Sequence, residues 1–223
     1  MNQELPPLPS WPERWQATLG WQPDAGQQLQ FEQIYAEVLT ANQHLNLTRI
    51  TAPEDFWEKH LWDSLRGIAP LQELGAQRVI DIGTGAGFPG LPVAVAHPDW
   101  LVTLLDATQK KIAFLETLLQ QVGLANCHTL VGRAEAIGKQ KQGAYDLALV
   151  RAVGPADRCA RYALPLLRPG GLAILYRGQW TAEEADVLQI ALQEFDGVLE
   201  QIDAFTTPLT QGVRHCIHIK RSS

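Results

Sequence analysis

An α/β fold with a doubly wound, mostly parallel sheet and an N-terminal helical extension is the architecture this sequence predicts. Three observations carry it. From residue 78 onward, short apolar runs alternate with segments of helical periodicity. The first of those runs, Val79-Ile80-Asp81-Ile82, empties into a glycine-rich turn. The residues before it carry helical patterning. At 223 residues, 46% hydrophobic and 19% charged, the chain has the size and composition of one globular domain and not of a disordered tail or a coiled coil. The expected division is a helical extension over residues 1–70 and an α/β part over residues 71–223, packed as one unit.

Residues 1–22 interleave prolines with Trp11, Trp15 and Trp21, which predicts an irregular arm with a short helix, anchored by its tryptophans. From Asp24, a suitable N-cap, Leu29, Phe31, Ile34, Tyr35, Val38 and Leu39 recur near a 3.6-residue period, so a helix is expected to run to about His44. After Pro53, one helical face collects Phe56, Trp57, His60, Leu61, Ser64, Leu65 and Ile68. The α/β alternation then reads as strand 79–82, helix 89–97, strand 101–106, helix 109–122, strand 128–131 and strand 145–150. It continues with helix 156–167, the turn Arg168-Pro-Gly-Gly, strand 172–176, helix 182–195, and two final β stretches at 198–206 and 213–220.

Composition bounds the function. The longest apolar candidate, Gly83 to Pro98, is broken by four glycines and three prolines, so no membrane span is expected. Met1 to Ser10 lacks the basic and apolar regions of a secretory signal, which points to the cytoplasm. Cys127, Cys159 and Cys216 have neither disulfide-framework nor metal-knuckle spacing and are expected as buried, reduced thiols. The net charge of −6 argues against gripping nucleic acid by bulk electrostatics. The acidity is concentrated in residues 1–80, with 10 Asp/Glu against 5 Lys/Arg, whereas Arg151, Arg158, Arg161, Arg168 and Arg177 face a single acid, Asp157, over 27 residues. That segment is a candidate for meeting phosphates.

Gly85-Ala-Gly87-Phe-Pro-Gly90 fits G-x-G-x-x-G, and Asp106 ends the next strand, where a carboxylate takes ribose hydroxyls. A bound nucleoside is therefore expected, from either a dinucleotide or an S-adenosyl cofactor. Asp81 separates the two. A carboxylate beside the turn repels a pyrophosphate but suits the α-ammonium of a methionine moiety, so charge favours S-adenosylmethionine over NAD. Pro89 at the opening of the following helix also removes an N–H that a phosphate would use.

The run Asp81-Ile-Gly-Thr-Gly-Ala-Gly-Phe-Pro-Gly-Leu-Pro closely resembles the RsmG (GidB) family. So do Leu105-Asp106-Ala-Thr-Gln-Lys-Lys-Ile-Ala-Phe-Leu, Gly132-Arg-Ala-Glu135, Asn46-Leu-Thr, His60-Leu-Trp-Asp63-Ser64 and Arg151-Ala-Val, over about residues 30–220. The resemblance implies a Rossmann-like class I S-adenosylmethionine-dependent methyltransferase that modifies N7 of a guanine in the 530 loop of 16S rRNA (guanosine 527). The substrate expected is the 30S subunit or a precursor, and the enzyme is expected to be a monomer. It also implies a cofactor pocket from Gly83, Phe88, Asp106, Ala107, Thr108, Ala134, Glu135 and Arg151, to which the residue reading adds Asp81, Gly85 and Gly87. Asn46, Arg158, Arg161 and Arg177 are RNA-contact candidates. Arg177-Gly178 stands where relatives carry Lys-Gly, which keeps the charge but changes its geometry.

Guanine N7 has an in-plane lone pair and no proton, so the reaction needs orientation and no general base. No catalytic nucleophile and no metal are therefore assigned. Arg151 is expected to help orient the guanine N7, and His60 and Asp63, three apart on one helix face, either to pair with the target base or orient Arg151, or only to make a capping or interdomain hydrogen bond. Asn46 is read either as touching substrate or as capping the helix that follows, and Trp57 or Trp62 as core or as a surface for a flipped base. His215 and His218, three apart on a strand, point to opposite faces and are not a metal pair. Two alternatives stay open: a non-catalytic RNA-binding or ribosome assembly factor, and an NAD-binding oxidoreductase. The second lacks the Tyr-x-x-x-Lys or His/Asp pair it would need.

Overall fold

The computed structural model describes residues 5–222; the first four residues of the N-terminal arm lie outside the described residues. Two helices open the chain. Helix α1 (Pro12–Leu19) buries Trp15, which stacks on Phe31 and meets Trp57 with ring centroids 4.7 Å apart. Helix α2 (Ala25–Leu45) begins with a capping box in which the Asp24 carboxylate accepts from Gln27 N and the Gln27 side chain accepts from Asp24 N. It buries Phe31, Ile34, Tyr35, Val38 and Leu39, the apolar stripe its period marks.

The next helical segment is continuous but not uniform: α3 (Pro53–Phe56) passes through a π-helical turn, Trp57–Trp62, into α4 (Asp63–Ile68). A wide turn leaves carbonyls short of helical partners, and side chains supply them. Arg151 donates to Lys59 O and the Ser64 hydroxyl to His60 O, and just past the turn the Tyr176 hydroxyl donates to Ser64 O. Gly67 lets α4 lie against the sheet, since a Cβ there would sit 2.4 Å from the Tyr176 ring.

Strands β1 (Arg78–Ile82), β2 (Leu101–Asp106), β3 (Cys127–Val131), β4 (Tyr145–Arg151) and β5 (Leu167–Arg177) pair in parallel. Strands β6 (Gly197–Thr206) and β7 (Val213–Arg221) complete the order β3-β2-β1-β4-β5-β7-β6, with β7 antiparallel to both its neighbours. The crossovers are α5 (Gly90–Ala96), α6 (Gln109–Val122), α7 (Ala134–Gln140) and α8 (Ala156–Ala163), and α9 (Ala182–Glu194) leads to β6.

Alternate residues of each strand feed opposite faces. Val79 and Leu104 join the core under α1 to α6, while Ile80 and Ile82 join the core under α7 to α9. The first of these cores is shared by the N-terminal helices and the sheet. No described helix is long and apolar enough to cross a membrane. All three cysteines are free and buried, and burial pushes every thiol pKa upward, that of Cys159 to about 11.

The structure adds one crossover helix and, beyond one-residue shifts, moves two boundaries. Helix α7 is absent from the expected alternation, although Glu135 also reads as a helix N-terminal acid and does sit in its first turn; the helix is seven residues long and buries only Ala134, Ile137 and Gly138, too short a stripe to show a period. Helix α8 stops at Ala163, four residues early, and Pro165 turns the chain through a 3-10 turn, Leu164–Leu166. Strand β5 begins at Leu167 and carries Arg168-Pro-Gly-Gly within it as an irregularity opposite Tyr145 to Leu147. Trp57 and Trp62 are 0% and 2% exposed, so neither offers a face to a base. They are core residues, and the Trp62 indole donates to the Thr18 hydroxyl.

Candidate active site

The sheet order reverses between β1 and β4, and a crevice opens at the carboxyl ends of the strands beside that point. Gly83 N and Thr84 N both donate to Leu105 O, which ties the glycine turn to the end of β2. Gly83 and Gly85 have φ of +72° and +61°, backbone conformations that favour glycine. A Cβ at Gly83 would lie 2.6 Å from Val153, whereas one at Gly85 would meet nothing closer than 3.9 Å. Asp106 binds both sides of the crevice: its Oδ2 accepts from Gly85 N at 3.0 Å and its Oδ1 from Thr108 N at 2.8 Å. The resulting cleft of about 200 Å³ is lined by Gly83, Asp106, Ala107, Ala134 and Glu135, with Val153 and Tyr162. The Glu135 amide and the Tyr162 hydroxyl hold the exposed Glu135 carboxyl below its ordinary value.

Asp81, Gly85, Gly87, Phe88, Thr108 and Arg151 are not among the residues that line this cleft. Asp81 is fully buried, and its Oδ2 accepts from the Thr84 hydroxyl at 2.6 Å and from Gly90 N at 2.8 Å, so the first amide of α5 is already taken. Its Oδ1 has no hydrogen-bond partner among the described residues. Burial pushes the Asp81 carboxyl up to about 6, against hydrogen bonds that lower it. A raised folded pKa gives stability that is fully present below the unfolded value near 3.8 and lost as pH rises through about 6. At pH 7 the ionised group therefore costs about 2 to 3 kcal/mol. Asp81→Asn is expected to flatten that part of the stability profile, measured by urea melts from pH 4 to 7. An unchanged slope would show that Asp81 does not titrate there.

Arg151 leaves the end of β4 toward the π turn. It donates to Lys59 O at 2.6 Å, to Asp63 Oδ2 at 3.3 Å and to His60 Nδ1 at 3.1 Å. Guanidinium only donates, so His60 Nδ1 is the acceptor and Nε2 carries the proton, which it gives to the Thr48 hydroxyl at 2.9 Å. Burial, then Arg151 and Lys59, lower the His60 pKa to about 3, and the ring is neutral. It stacks on Phe88 with centroids 4.3 Å apart. Burial raises the Asp63 pKa while Arg151 and Arg214 pull it back. Lys59, His60, Asp63, Arg151, Arg177, Arg214 and His215 line a second, polar cavity of about 750 Å³.

The arginine-rich segment is not a bare basic face. Arg161 pairs with Glu194, Arg168 with Asp146, Arg177 with Glu184 and Arg151 with Asp63. Arg158 is exposed and forms no salt bridge among the described residues. Asn46 is exposed at φ 49°, the C-cap of α2, so it ends the helix before it and does not cap the one after.

Several residues at these cavities were not singled out. Tyr162 and Val153 reach the cleft, and Arg214 reaches the second cavity from β7. Glu58, fully buried, fixes the loop between β6 and β7 by accepting from Leu209 N, Thr210 N and the Thr210 hydroxyl. A strand arginine, a helix tyrosine, a loop valine and a glutamate on an apolar helical face carried no motif. Only the odd position of Glu58 between Trp57 and Leu61 marked it.

Solved structures share this architecture. An S-adenosylmethionine-dependent methyltransferase of Methanosarcina mazei superposes with a TM-score of 0.55 at 16% identity, over 70% of this chain and 97% of that one. The 16S rRNA (adenine(1408)-N(1))-methyltransferase of Catenulisporales acidiphilia gives 0.56 at 16% identity, over 70% and 89%. These likenesses show a class I methyltransferase fold. Sequence adds more: the ribosomal RNA small subunit methyltransferase G of Trichormus variabilis is 57% identical over 222 residues, covering 96% of this chain and 90% of that protein. The glycine turn, the carboxylate at the end of β2 and the paired cavities lie within residues 27–215, the stretch that matches the GidB family, rRNA small subunit methyltransferase G, and the chain belongs to that family.

Proposed function

We propose that this chain transfers a methyl group from S-adenosylmethionine to N7 of a guanine in the 530 loop of 16S rRNA, acting in the cytoplasm as a monomer on the 30S subunit or a precursor. Family membership makes it an S-adenosylmethionine-dependent methyltransferase of small-subunit rRNA. The observation that carries the finer reading is the adjacency of two cavities across Arg151-Ala152-Val153: Val153 lines the nucleoside-sized cleft, while Arg151 and Ala152 line the larger polar one.

The residues fit the cofactor. Gly83 lines the cleft with a positive φ and no side chain, and Asp81 Oδ1 is a buried acceptor without a partner among the described residues. Asp106 would take the ribose hydroxyls, Ala134 and Glu135 would border the adenine with Ala107 and Thr108, and Asp81 would face the α-ammonium side. When bound, the cofactor supplies an electrophilic methyl on sulfur. The protein supplies placement: N7 offers its lone pair without deprotonation, so no side chain need remove a proton, and His60, with both ring nitrogens engaged and its pKa lowered to about 3, is a weak base. Arg158, Arg161, Arg177 and Asn46 remain RNA-contact assignments, and of the three arginines Arg158 forms no salt bridge among the described residues. The core shared by α1, α2 and the sheet supports residues 1–70 and 71–223 folding as one unit.

The test is transfer of a labelled methyl from S-adenosylmethionine to 30S subunits and to naked 16S rRNA lacking the modification, mapped by cleavage at N7-methylguanine. Labelling at one guanine of the 530 loop is the expected result. Cofactor binding without labelling of either substrate would overturn it and leave an RNA-binding assembly factor.

A further inference from the structure

The polar cavity holds a carboxylate whose hydrogen-bonding capacity is largely unused. Asp63 is 8% exposed, and its one side-chain hydrogen bond among the described residues is the 3.3 Å contact from Arg151 to Oδ2. Oδ1 faces the Arg214 Nε at 4.0 Å, beyond hydrogen-bonding distance. Two arginines thus hold a nearly buried anion at the wall of a space of about 750 Å³ without satisfying it. The backbone beside it is strained: Ala152, which lines the same cavity, has φ 57°, a conformation held in place only where the surroundings require it.

Guanine is the base whose Watson–Crick edge presents two adjacent donors, N1–H and N2–H, to a carboxylate's two acceptors. That edge lies on the far side of the ring from N7. A guanine whose N7 points past Arg151-Ala152-Val153 toward the cleft therefore turns its donor edge to the cavity side, where Asp63 stands. We propose that Asp63 reads the target guanine, accepting N1–H on one oxygen and N2–H on the other, and that the same carboxylate balances the charge created by methylation. This rests on the rRNA methyltransferase reading above.

The charge argument follows from the electron count. The carbon–sulfur bond breaks with its electron pair going to sulfur, and the N7 lone pair forms the new bond to carbon. No proton leaves, so the positive charge moves from sulfur to the guanine ring. A carboxylate hydrogen-bonded to N1–H interacts more strongly with that cationic ring than with neutral guanine, and so favours the transition state over the ground state. Arg151 orients the carboxylate, and Arg214, at the rim with its side chain 36% exposed, is free to meet a phosphate.

The test compares wild type and Asp63→Asn on 30S particles reconstituted with 16S rRNA bearing guanine or adenine at the target. Adenine also has an N7, but its edge offers an acceptor at N1 and donors at N6, which suits an amide. Asp63→Asn is expected to lose about 100-fold or more in kcat/KM on guanine, while its ratio of adenine to guanine activity rises, with cofactor affinity by calorimetry within about threefold of wild type. Wild type on inosine, which lacks the N2 amine, is expected to lose about 10- to 100-fold, a result that needs no folded variant. Equal losses on both templates with unchanged inosine activity would overturn the assignment while leaving the enzyme reading intact. No transfer by wild type to the guanine template would overturn both.

Discussion

Asp106→Ala is expected to weaken S-adenosylmethionine binding by about 100- to 1,000-fold, measured by calorimetric titration. The carboxylate already accepts Thr108 N and Gly85 N, one on each oxygen, and each oxygen keeps a second lone pair. It is 8% exposed, so what solvent access remains is toward the cleft it lines. A ribose diol donates one hydroxyl to each oxygen, and hydrogen bonds to a charged acceptor are worth about 1.5 to 3 kcal/mol each. Losing two corresponds to the stated range at the low end of that scale. The same substitution frees two amides of the glycine turn and the following loop, so a fall of a few degrees in Tm is expected as well. Asp106→Asn separates the effects, because one acceptor and the side-chain reach survive: its affinity should fall less than that of the alanine variant. Affinity within threefold of wild type for both variants would remove Asp106 from the cofactor cleft.

Much of the fold was legible because its signals are local. Parallel strands buried on both faces read as short apolar runs, and β2 is observed at its expected residues 101–106. Helix α6 likewise spans the expected 109–122, since five buried residues repeat at helical spacing and Gly123 ends it in a left-handed conformation. What the sequence did not show is long-range pairing. Counting charges between Arg151 and Arg177 finds one acid, yet Glu194, Asp146, Glu184 and Asp63 neutralise four of the five arginines from other elements. The π turn was hidden for the same reason, because the strand donor to one of its carbonyls, Arg151 to Lys59 O, comes from about 90 residues away, a separation that only closing the sheet removes. The spacing of His60 and Asp63 put both on one helix face and offered them as partners for Arg151, and Arg151 hydrogen-bonds to both. Their convergence depends on α3, α4 and the turn between them lying across the end of β4.

Arg151→Ala is expected to destabilise the protein by about 3 to 5 kcal/mol, since it strips a nearly buried carboxylate of its closest cation. Lys59 O and His60 Nδ1 lose their donor in the same step. For a chain of this length, such a loss lowers Tm by roughly 10 °C or more. Arg151→Lys should recover only part of it, because one ammonium cannot reach three acceptors fixed by a planar fork. The pairing is isolated by adding Asp63→Asn to Arg151→Ala. Neutralising the stranded carboxylate should return about 1 to 3 kcal/mol, making the double variant more stable than the single one. His60 gives an independent readout: Arg151 is one of the causes lowering its pKa from the ordinary 6.5 to about 3, so its ring should titrate at higher pH in Arg151→Ala, visible by proton NMR. If the single and double variants melt together and His60 does not move, Arg151 and Asp63 are neighbours without coupling. The cavity would then owe its shape to Lys59 O and the π turn, and Asp63 could face a guanine without a cation to hold its geometry.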